Sequence, residues 1–209
     1  MTAGPPVAAA RTTYRHGDLR RALIEAGVDL ARGGGPQAVV LREATRRAGV
    51  SPNAAYRHFA DRAALLSAVA EWSTAALAET MHQHLAAISP ALDTAGAARA
   101  RLRAVGAGYI AFAQAEPGLF QTAFAAPDDG AEVHASAGAP PFELLGAALD
   151  GLVDAGALAP DRRPGAEYLA WSAVHGLAML LIDGPLRGLP AEERDTATQH
   201  LLDMVEKGL

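Results

Sequence analysis

The sequence predicts an all-α protein, and three observations support this fold class. No long stretch of the 209 residues alternates between apolar and polar residues with the period of two that a half-buried strand shows. Half of the residues are hydrophobic but only 5% are aromatic, so alanine and leucine must supply most of a core of closely packed helices. Apolar residues recur at helical spacing between strong helix breakers.

The first predicted helix begins near Gly17, with Asp18 as its N-cap. It ends at the breaker Gly-Gly-Gly-Pro of residues 33–36. One apolar face of this helix consists of Leu19, Leu23, Ala26 and Leu30. These spacings predict a helix of about four turns that buries one side.

Two short helices are predicted next, over residues 41–48 and about 52–58. The turn between them contains Gly49, and Ser51 is a good N-cap for the second of the two. Two short helices joined by a three- to four-residue turn with a glycine form the helix-turn-helix that reads duplex DNA. The stretch Leu41–Phe59 therefore predicts double-stranded DNA as a partner.

The rest of the chain predicts a helical body, which brings the total to about nine helices. Asp61 caps a long helix that continues to about Ile88, and its inward side chains are Leu65, Leu66, Val69, Trp72 and Leu77. Further helices are predicted at about 93–115, 119–125, 142–156, 164–182 and 190–207. Residues 127–141 are rich in Gly, Pro and Asp, which predicts a loop.

The charge is divided unevenly along the chain. Residues 1–70 contain ten Arg and five acidic residues, whereas residues 71–209 contain eight basic and 18 acidic residues. Lys207 is the only lysine. A basic N-terminal third on an acidic body is the asymmetry expected when one end of a protein meets a polyanion.

Composition also excludes several classes of protein. The absence of cysteine excludes a disulfide framework, a thiolate metal site and a cysteine nucleophile. No stretch of 18 uninterrupted apolar residues and no signal peptide are visible, so we expect a cytoplasmic protein with no membrane partner. His82 and His84 are two residues apart and cannot share a helix face, so no metal site and no cofactor are predicted.

Residues 15–70 resemble the TetR/AcrR family of bacterial transcriptional regulators. The matching elements, in the family's order and spacing, are Leu19–Ala31, Arg42-Glu43, Arg47-Ala48-Gly49-Val50-Ser51, Tyr56-Arg57-His58-Phe59 and Leu65-Leu66. Two departures are Val40, where the family often has Thr, and Arg62, where it often has Lys. Farther along, Trp171, His175 and Gly176 resemble the W-x-x-x-H-G element of one C-terminal subgroup.

The resemblance implies a disordered arm over residues 1–14, a DNA-binding domain over 15–62, and a ligand-binding and dimerisation domain over 63–209. For base reading we expect Pro52, Asn53 and Ala54, since Asn pairs with adenine and the other two offer apolar contact to thymine methyl groups. The candidate phosphate contacts are Arg42, Ser51, Tyr56, His58 and Arg62. Arg15 is expected to reach the DNA backbone or the minor groove. Phe59 is expected in the core, and Arg46 and Arg47 on a solvated face.

The body is expected to hold a pocket for a small apolar or amphipathic effector, because the rare aromatic residues cluster there. The candidate lining residues are Trp72, Met81, Tyr109, Phe112, Phe120, Phe124, Phe142, Trp171, His175 and Met179. The alternative for each of them is ordinary core packing. The acidic loop residues Asp128, Asp129, Glu132 and His134 are interpreted as solvated.

The last two helices carry apolar residues suited to a partner surface, and the resemblance implies a homodimer packed as a four-helix bundle. The candidate interface residues are Leu169, Val174, Leu177, Leu181, Leu201, Leu202 and Val205. Such a dimer predicts a pseudo-palindromic operator.

The leading interpretation is a repressor that an effector releases from its operator. One alternative is an architectural DNA-binding protein without an effector. Another is a small helical enzyme that uses His175 with Tyr168 or Asp183; no spacing of nucleophile, base and orienting group supports it, and the basic head would be unexplained.

Overall fold

The computed structural model describes residues 16–125 and 139–209, and the described part is helical with no strand. Its helices are α1 (His16–Ala38), α2 (Leu41–Ala48), α3 (Pro52–Tyr56), α4 (Arg62–Ala86), α5 (Thr94–Ala115), α6 (Pro117–Ala123), α7 (Pro140–Asp154), α8 (Ala166–Ile182) and α9 (Ala191–Gly208), with a 3₁₀ turn at Pro160–Arg162. The predicted all-α fold is confirmed. The predicted arm and most of the predicted loop at 127–141 lie outside the described residues.

The predicted break at the glycine run is present inside α1. Gly34 (φ −160°, ψ 21°) and Gly35 (φ 63°, ψ −163°) leave the helical conformation, and one further turn follows to Ala38. The positive φ of Gly35 is costly for a residue with a Cβ. A guanidinium nitrogen of Arg62 donates to the carbonyl oxygen of Pro36 at 2.8 Å, which ties this last turn to the start of α4.

Side-chain caps start three of the helices. The Ser51 hydroxyl accepts from the Ala54 amide at 3.3 Å, and the Asp61 carboxylate accepts from the Ala64 amide at 2.8 Å. Asp93 caps α5 in the same way, by accepting from Gly96 at 2.6 Å. The caps predicted at Ser51 and Asp61 are confirmed. Asp18 is not an N-cap, because α1 already begins at His16.

Several helix boundaries differ from the predicted ones. α6 begins at Pro117, because proline suits the first helical position, where no amide donor is needed. α3 ends at Tyr56, two residues early, because the chain turns at residues 57 and 58 to bring Phe59 into the core with 3% exposure. α7 likewise begins at Pro140, two residues before its predicted start.

The body is built around α4 and α5, which approach each other at a glycine. A Cβ at Gly108 would lie 2.7 Å from the Cα of Met81, so this position brings the two backbones together. Gly106, on the neighbouring face of α5, similarly makes room for the side chain of Leu202 on α9. Helices α7, α8 and α9 complete the bundle around the buried residues of α5.

Helix α6 joins this bundle to α1. Gly118 is buried so close to the end of α1 that a Cβ there would collide with the carbonyl oxygen of Ala31. The guanidinium of Arg32 donates to the carboxylate of Glu116 at 3.2 Å beside this contact. The first helix of the head therefore rests on the body through a backbone-to-backbone approach, which leaves no space for a side chain.

Gly118→Ala is expected to lower the free energy of unfolding by about 1–3 kcal/mol, because the added methyl group meets rigid backbone and not a movable side chain. Urea denaturation followed by circular dichroism measures the change. Gly151→Ala on α7 is the matched control, since its Cβ would meet nothing within 4 Å and its helix gains propensity. Equal stabilities of Gly118→Ala and the wild type would contradict the tight α1–α6 contact.

Candidate nucleic-acid interface and body cavity

Helices α2 and α3 form a helix-turn-helix. Gly49 ends α2 in the left-handed conformation, with φ 66° and ψ 30°, and its amide donates back to the carbonyl oxygen of Arg46. The Val50 amide donates to the Thr45 carbonyl at 3.1 Å, which completes the turn. Glycine adopts this backbone conformation without strain, so Gly49 sets the angle at which α3 leaves α2.

An apolar layer supports the two helices from behind. Ala44 and Ala55 are fully buried, and Phe59 belongs to the same buried layer with 3% exposure, as its sequence context predicted. The guanidinium of Arg20 on α1 lies 5.3 Å from the centre of the Phe59 ring. The small alanines let α2 and α3 lie close to this layer, so the outer face of the motif is held rigidly.

The candidate DNA-contacting residues of α2 and α3 differ in their exposure. Arg42, Ser51, Pro52, Asn53 and Tyr56 are exposed, whereas Ala54 and His58 are partly buried. Tyr56 is 58% exposed, so its ring and hydroxyl are accessible to a partner. Arg62 lies behind the motif, where it bonds the end of α1, and Arg15 lies outside the described residues.

The two arginines at the end of α2 are paired with an acid. Arg46 donates twice to the carboxylate of Glu43, at 2.6 and 2.9 Å, and Arg47 donates to it at 3.3 Å. The hydrogen bond from Arg46 is the main cause that lowers the pKa of Glu43 to about 2. The sequence interpretation placed Arg46 and Arg47 on a solvated face and did not pair them with Glu43. The i,i+3 and i,i+4 spacings from Glu43 to these arginines are nevertheless those of helical ion pairs.

The body contains a small apolar cavity between α5, α7, α8 and α9. Its volume is about 30 Å³. Apolar side chains and Gly106 contribute most of its lining, and the side chain of Arg103 borders it. Of the ten candidate pocket residues, those that line it are Met81, Tyr109, Phe142 and Trp171.

The other six candidates do not line this cavity. Phe112 and Phe120 are buried in the core, while Phe124, His175 and Met179 are partly buried. The prediction that Trp72 points inward is wrong. Trp72 is 38% exposed on α4, where its ring lies 5.7 Å from the guanidinium of Arg32, because a surface cation–π contact holds it at the edge of α1.

A hydrogen-bonded triad lies at the wall of the cavity. The indole nitrogen of Trp171 donates to the hydroxyl of Tyr109 at 3.1 Å, and that hydroxyl lies 2.8 Å from Nδ1 of His175. Indole can only donate, so the hydroxyl accepts from Trp171 and keeps its own proton for a second hydrogen bond.

Burial affects both titratable members of the triad. It raises the pKa of Tyr109 above its usual range and lowers the pKa of His175. The rings of Phe120 and Phe124 lie 5.6 and 5.0 Å from the imidazole, which accounts for its poor hydration. Both groups are therefore neutral at physiological pH, and the two hydrogen bonds of the triad join uncharged groups.

The sequence interpretation missed the polar border of the cavity. Arg103 on α5 bonds Asp203 and Glu206 on α9, and it donates to the side chain of Gln199 at 2.8 Å. These residues are about 100 positions apart, so no local spacing indicates the network. Among the described residues, no three His, Asp or Glu side chains converge as a metal site would require, and no helix is long and apolar enough to cross a bilayer.

Comparison with known proteins accounts for both halves of the chain. The model of bacterial regulatory proteins of the tetR family matches residues 23–69, and that of the tetracyclin repressor-like C-terminal domain matches residues 102–205. The chain belongs to the TetR family. It is a transcriptional regulator with a DNA-binding fold.

Solved structures support the assignment. A Rhodococcus sp. RHA1 protein of unknown function is 29% identical with a TM-score of 0.75, over 95% of this chain and 99% of that chain. The TetR transcriptional regulator SCO0520 from Streptomyces coelicolor is 27% identical with a TM-score of 0.53, over 91% of this chain and 97% of that chain. PfmR, a TetR family regulator from Thermus thermophilus, shares the fold at 18% identity and a TM-score of 0.55, over 90% and 98%. No curated protein matches the chain.

The candidate dimer residues of this TetR-family protein divide into two groups. Leu169 is 69% exposed, and Leu201 and Val205 are partly buried. The other four are at most 8% exposed within one protomer and pack into its own core, so they cannot form a docking surface: Val174, Leu177, Leu181 and Leu202. The exposed apolar residues of α8 and α9 that accompany Leu169 are Tyr168, Leu180 and Met204.

The stability of the regulator is expected to decrease as the pH falls below about 6.5, the ordinary pKa of histidine. Burial lowers the pKa of His175 in the folded protein, so the unfolded chain takes up the proton first and gains stability. The contribution of His175 is complete above pH 6.5 and is lost as the pH falls through the lower folded-state pKa.

Urea unfolding between about pH 5 and 8 measures this dependence. His175→Asn is expected to flatten it, and His82→Asn, at an exposed position on α4, controls for the loss of an imidazole elsewhere. Identical pH profiles for His175→Asn and the wild type would show that His175 does not titrate differently in the two states.

Proposed function

We propose that this protein is a cytoplasmic, homodimeric repressor that binds a pseudo-palindromic operator and leaves it when a small apolar or amphipathic molecule enters the body. The observation that carries the proposal is the exposed face of α2 and α3. There Arg42, Asn53 and Tyr56 project into solvent from a rigid apolar support. A polar, cationic surface held at a fixed angle by Gly49 suits the major groove of duplex DNA.

On this proposal the base-reading surface is small. Asn53 pairs with adenine, and Pro52 and Ala54 contact apolar base edges. Phosphates are contacted by Arg42, Ser51, Tyr56 and His58, with Arg15 reaching the DNA from the N-terminal side. Arg62, which also donates to the carbonyl oxygen of Pro36, is a further phosphate contact on this proposal. Because so few side chains can read bases, DNA shape contributes to operator choice.

The dimer forms through one face of α8, aided by α9. Leu169, Ser172, Gly176 and Leu180 follow one another at helical spacing, so they share a face, and a Cβ on Gly176 would meet nothing within 4 Å. Leu169 and Leu180 are 69% and 43% exposed. Two such faces pack closely because small residues lie between the leucines, and the fixed dimer then sets the spacing of the two DNA-binding heads.

Two helices connect the cavity with the head. Helix α4 begins at Arg62, beside the DNA-binding motif, and carries Met81 at the cavity wall. Helix α6 holds Phe120 against Tyr109 of the cavity wall, with ring centres 5.3 Å apart, and Gly118 against α1. A ligand that enlarges the cavity therefore displaces α4 and α6, and both of these helices contact α1 of the head.

One observation favours a second candidate, an operator-binding dimer without an effector. The cavity of about 30 Å³ is far smaller than the roughly 300–1,000 Å³ of typical ligand sites. In the first candidate the cavity must expand by movement of the rings of Phe142 and Trp171, which lie 4.9 Å apart. In the second candidate it is a packing defect.

The test begins with selection of genomic fragments bound by the full-length protein. A pseudo-palindromic consensus is expected, and reporter expression from the selected promoters should rise when the gene is deleted. Fragments without a shared sequence would contradict the proposal. A fall in reporter expression on deletion would contradict repression alone.

Arg42→Ala is expected to weaken binding of the selected operator and of unrelated duplexes alike, and to reduce the slope of log K against log salt by about 0.9. Asn53→Ala should instead relax base preference at one position, by about 1–3 kcal/mol. Fluorescence anisotropy measures both, with Arg101→Ala on the exposed surface of α5 as the control. An unchanged salt slope in Arg42→Ala would contradict its phosphate contact.

Leu169→Glu is expected to convert the dimer to a monomer, because the substitution places two like charges in an apolar interface. Sedimentation equilibrium gives the mass, and Leu92→Glu is the matched control, since Leu92 is also exposed (45%) but lies between α4 and α5. A dimeric Leu169→Glu variant would show that α8 does not form the interface.

The effector is tested by a thermal-shift screen of apolar and amphipathic compounds. A true ligand raises the Tm of the wild type and releases it from the selected operator. The same compound has neither effect on the Ala170→Leu variant, in which a larger side chain fills the cavity. A screen in which no compound acts in this way favours the second candidate.

A further inference from the structure

The carboxylate of Glu43 lies among the cations of the DNA-binding motif. It accepts two hydrogen bonds from Arg46, at 2.6 and 2.9 Å, and one from Arg47 at 3.3 Å. The Arg46 contact is a two-pronged pairing between groups one turn apart on the same helix, so little side-chain freedom is lost in forming it. One acid therefore engages two of the three arginines of α2.

The position of Glu43 places this pairing on the proposed DNA side. Glu43 and Arg46 line an open groove, together with Arg42 and Pro52. The volume of this groove is about 650 Å³. Pro52 begins α3, whose exposed residues are the proposed base readers. An acid on this surface meets the phosphates whenever the motif enters a groove.

The three arginines of α2 are not equivalent. Among the residues that the structure describes, Arg42 has no acidic partner, whereas Arg46 and Arg47 share the charge of Glu43. The hydrogen bond from Arg46 keeps the pKa of Glu43 far below neutrality, so the carboxylate is ionised at physiological pH. Even if one guanidinium turned toward a phosphate, the carboxylate would still repel that phosphate.

We propose that Glu43 is a specificity-determining residue that holds Arg46 and Arg47 away from phosphates and thereby limits sequence-independent DNA binding. The inference rests on the proposed function, since it requires α2 and α3 to bind duplex DNA. Phosphate contacts supply most of non-specific affinity, whereas base contacts discriminate. A head with few base readers gains discrimination when its surplus cations are neutralised within the protein.

The first test is Glu43→Gln in the full-length protein, with a labelled duplex of arbitrary sequence as the probe. Anisotropy titrations between about 50 and 200 mM salt should show a slope of log K against log salt that is steeper by about 1–2, since each newly contacted phosphate adds about 0.9. The affinity for this probe at about 50 mM salt should rise roughly tenfold. The ratio of operator affinity to probe affinity should fall.

Glu25→Gln is the matched control for net charge. Glu25 also lies in the head and pairs with an arginine, Arg21, at 3.8 Å, but on the exposed surface of α1. It should leave the salt slope unchanged. An equal increase in both variants would overturn the inference, because the effect would then follow from net charge alone.

A second set of variants tests the same point without altering Glu43. Arg46→Gln combined with Arg47→Gln should leave the salt slope near the wild-type value, since neither arginine contacts phosphate while Glu43 is present. In the Glu43→Gln background the same pair should abolish the steeper slope. A slope reduced by about 2 in the Arg46→Gln, Arg47→Gln protein would overturn the inference.

The outcomes also separate this inference from the proposed function. Wild-type binding to the operator with no change of slope in Glu43→Gln would overturn the role of Glu43 and leave the repressor proposal intact. Failure of the wild type to bind either duplex would overturn both.

Discussion

The close approach of α6 to the end of α1 is the contact on which the arrangement of the molecule depends. Gly118 lets the backbone of α6 lie against the carbonyl oxygen of Ala31, and the Arg32–Glu116 ion pair closes the joint at its surface. The opposite face of α6 carries Phe120 into the aromatic core. Because this short helix is packed on both sides, the head and the body cannot change their relative position without moving it.

The head combines a rigid support with a sparse reading surface. Alanines and Phe59 hold α2 and α3 from behind, while Asn53 and Tyr56 extend into solvent. Most of the positive charge at this end comes from arginine, yet two of the α2 arginines are bonded to Glu43. The surface is thus less cationic than a count of its arginines indicates.

The polar side chains beside the cavity of the body are hydrogen-bonded to one another. The hydroxyl of Tyr109 bonds both the indole of Trp171 and the imidazole of His175, so the two members that line the cavity, Tyr109 and Trp171, are hydrogen-bonded to each other. Burial keeps the tyrosine and the histidine neutral. An apolar molecule that enters beside them need not displace a charge, whereas Arg103 and its acidic partners confine charge to the border.

The sequence by itself determined the all-α fold, the helix-turn-helix and the caps at Ser51 and Asp61, because helical spacing, Gly49 and capping residues act over a few neighbouring positions. It also predicted that Phe59 is buried and that the first helix ends at the glycine run, whereas the structure has one further turn after the break. Tertiary structure alone decided that Trp72 faces solvent, that Val174 and Leu202 pack within the protomer, and that Arg103 meets α9. Helical periodicity identifies an apolar face but not what covers it, since burial depends on helices that lie far apart in the chain and meet only in the folded protein.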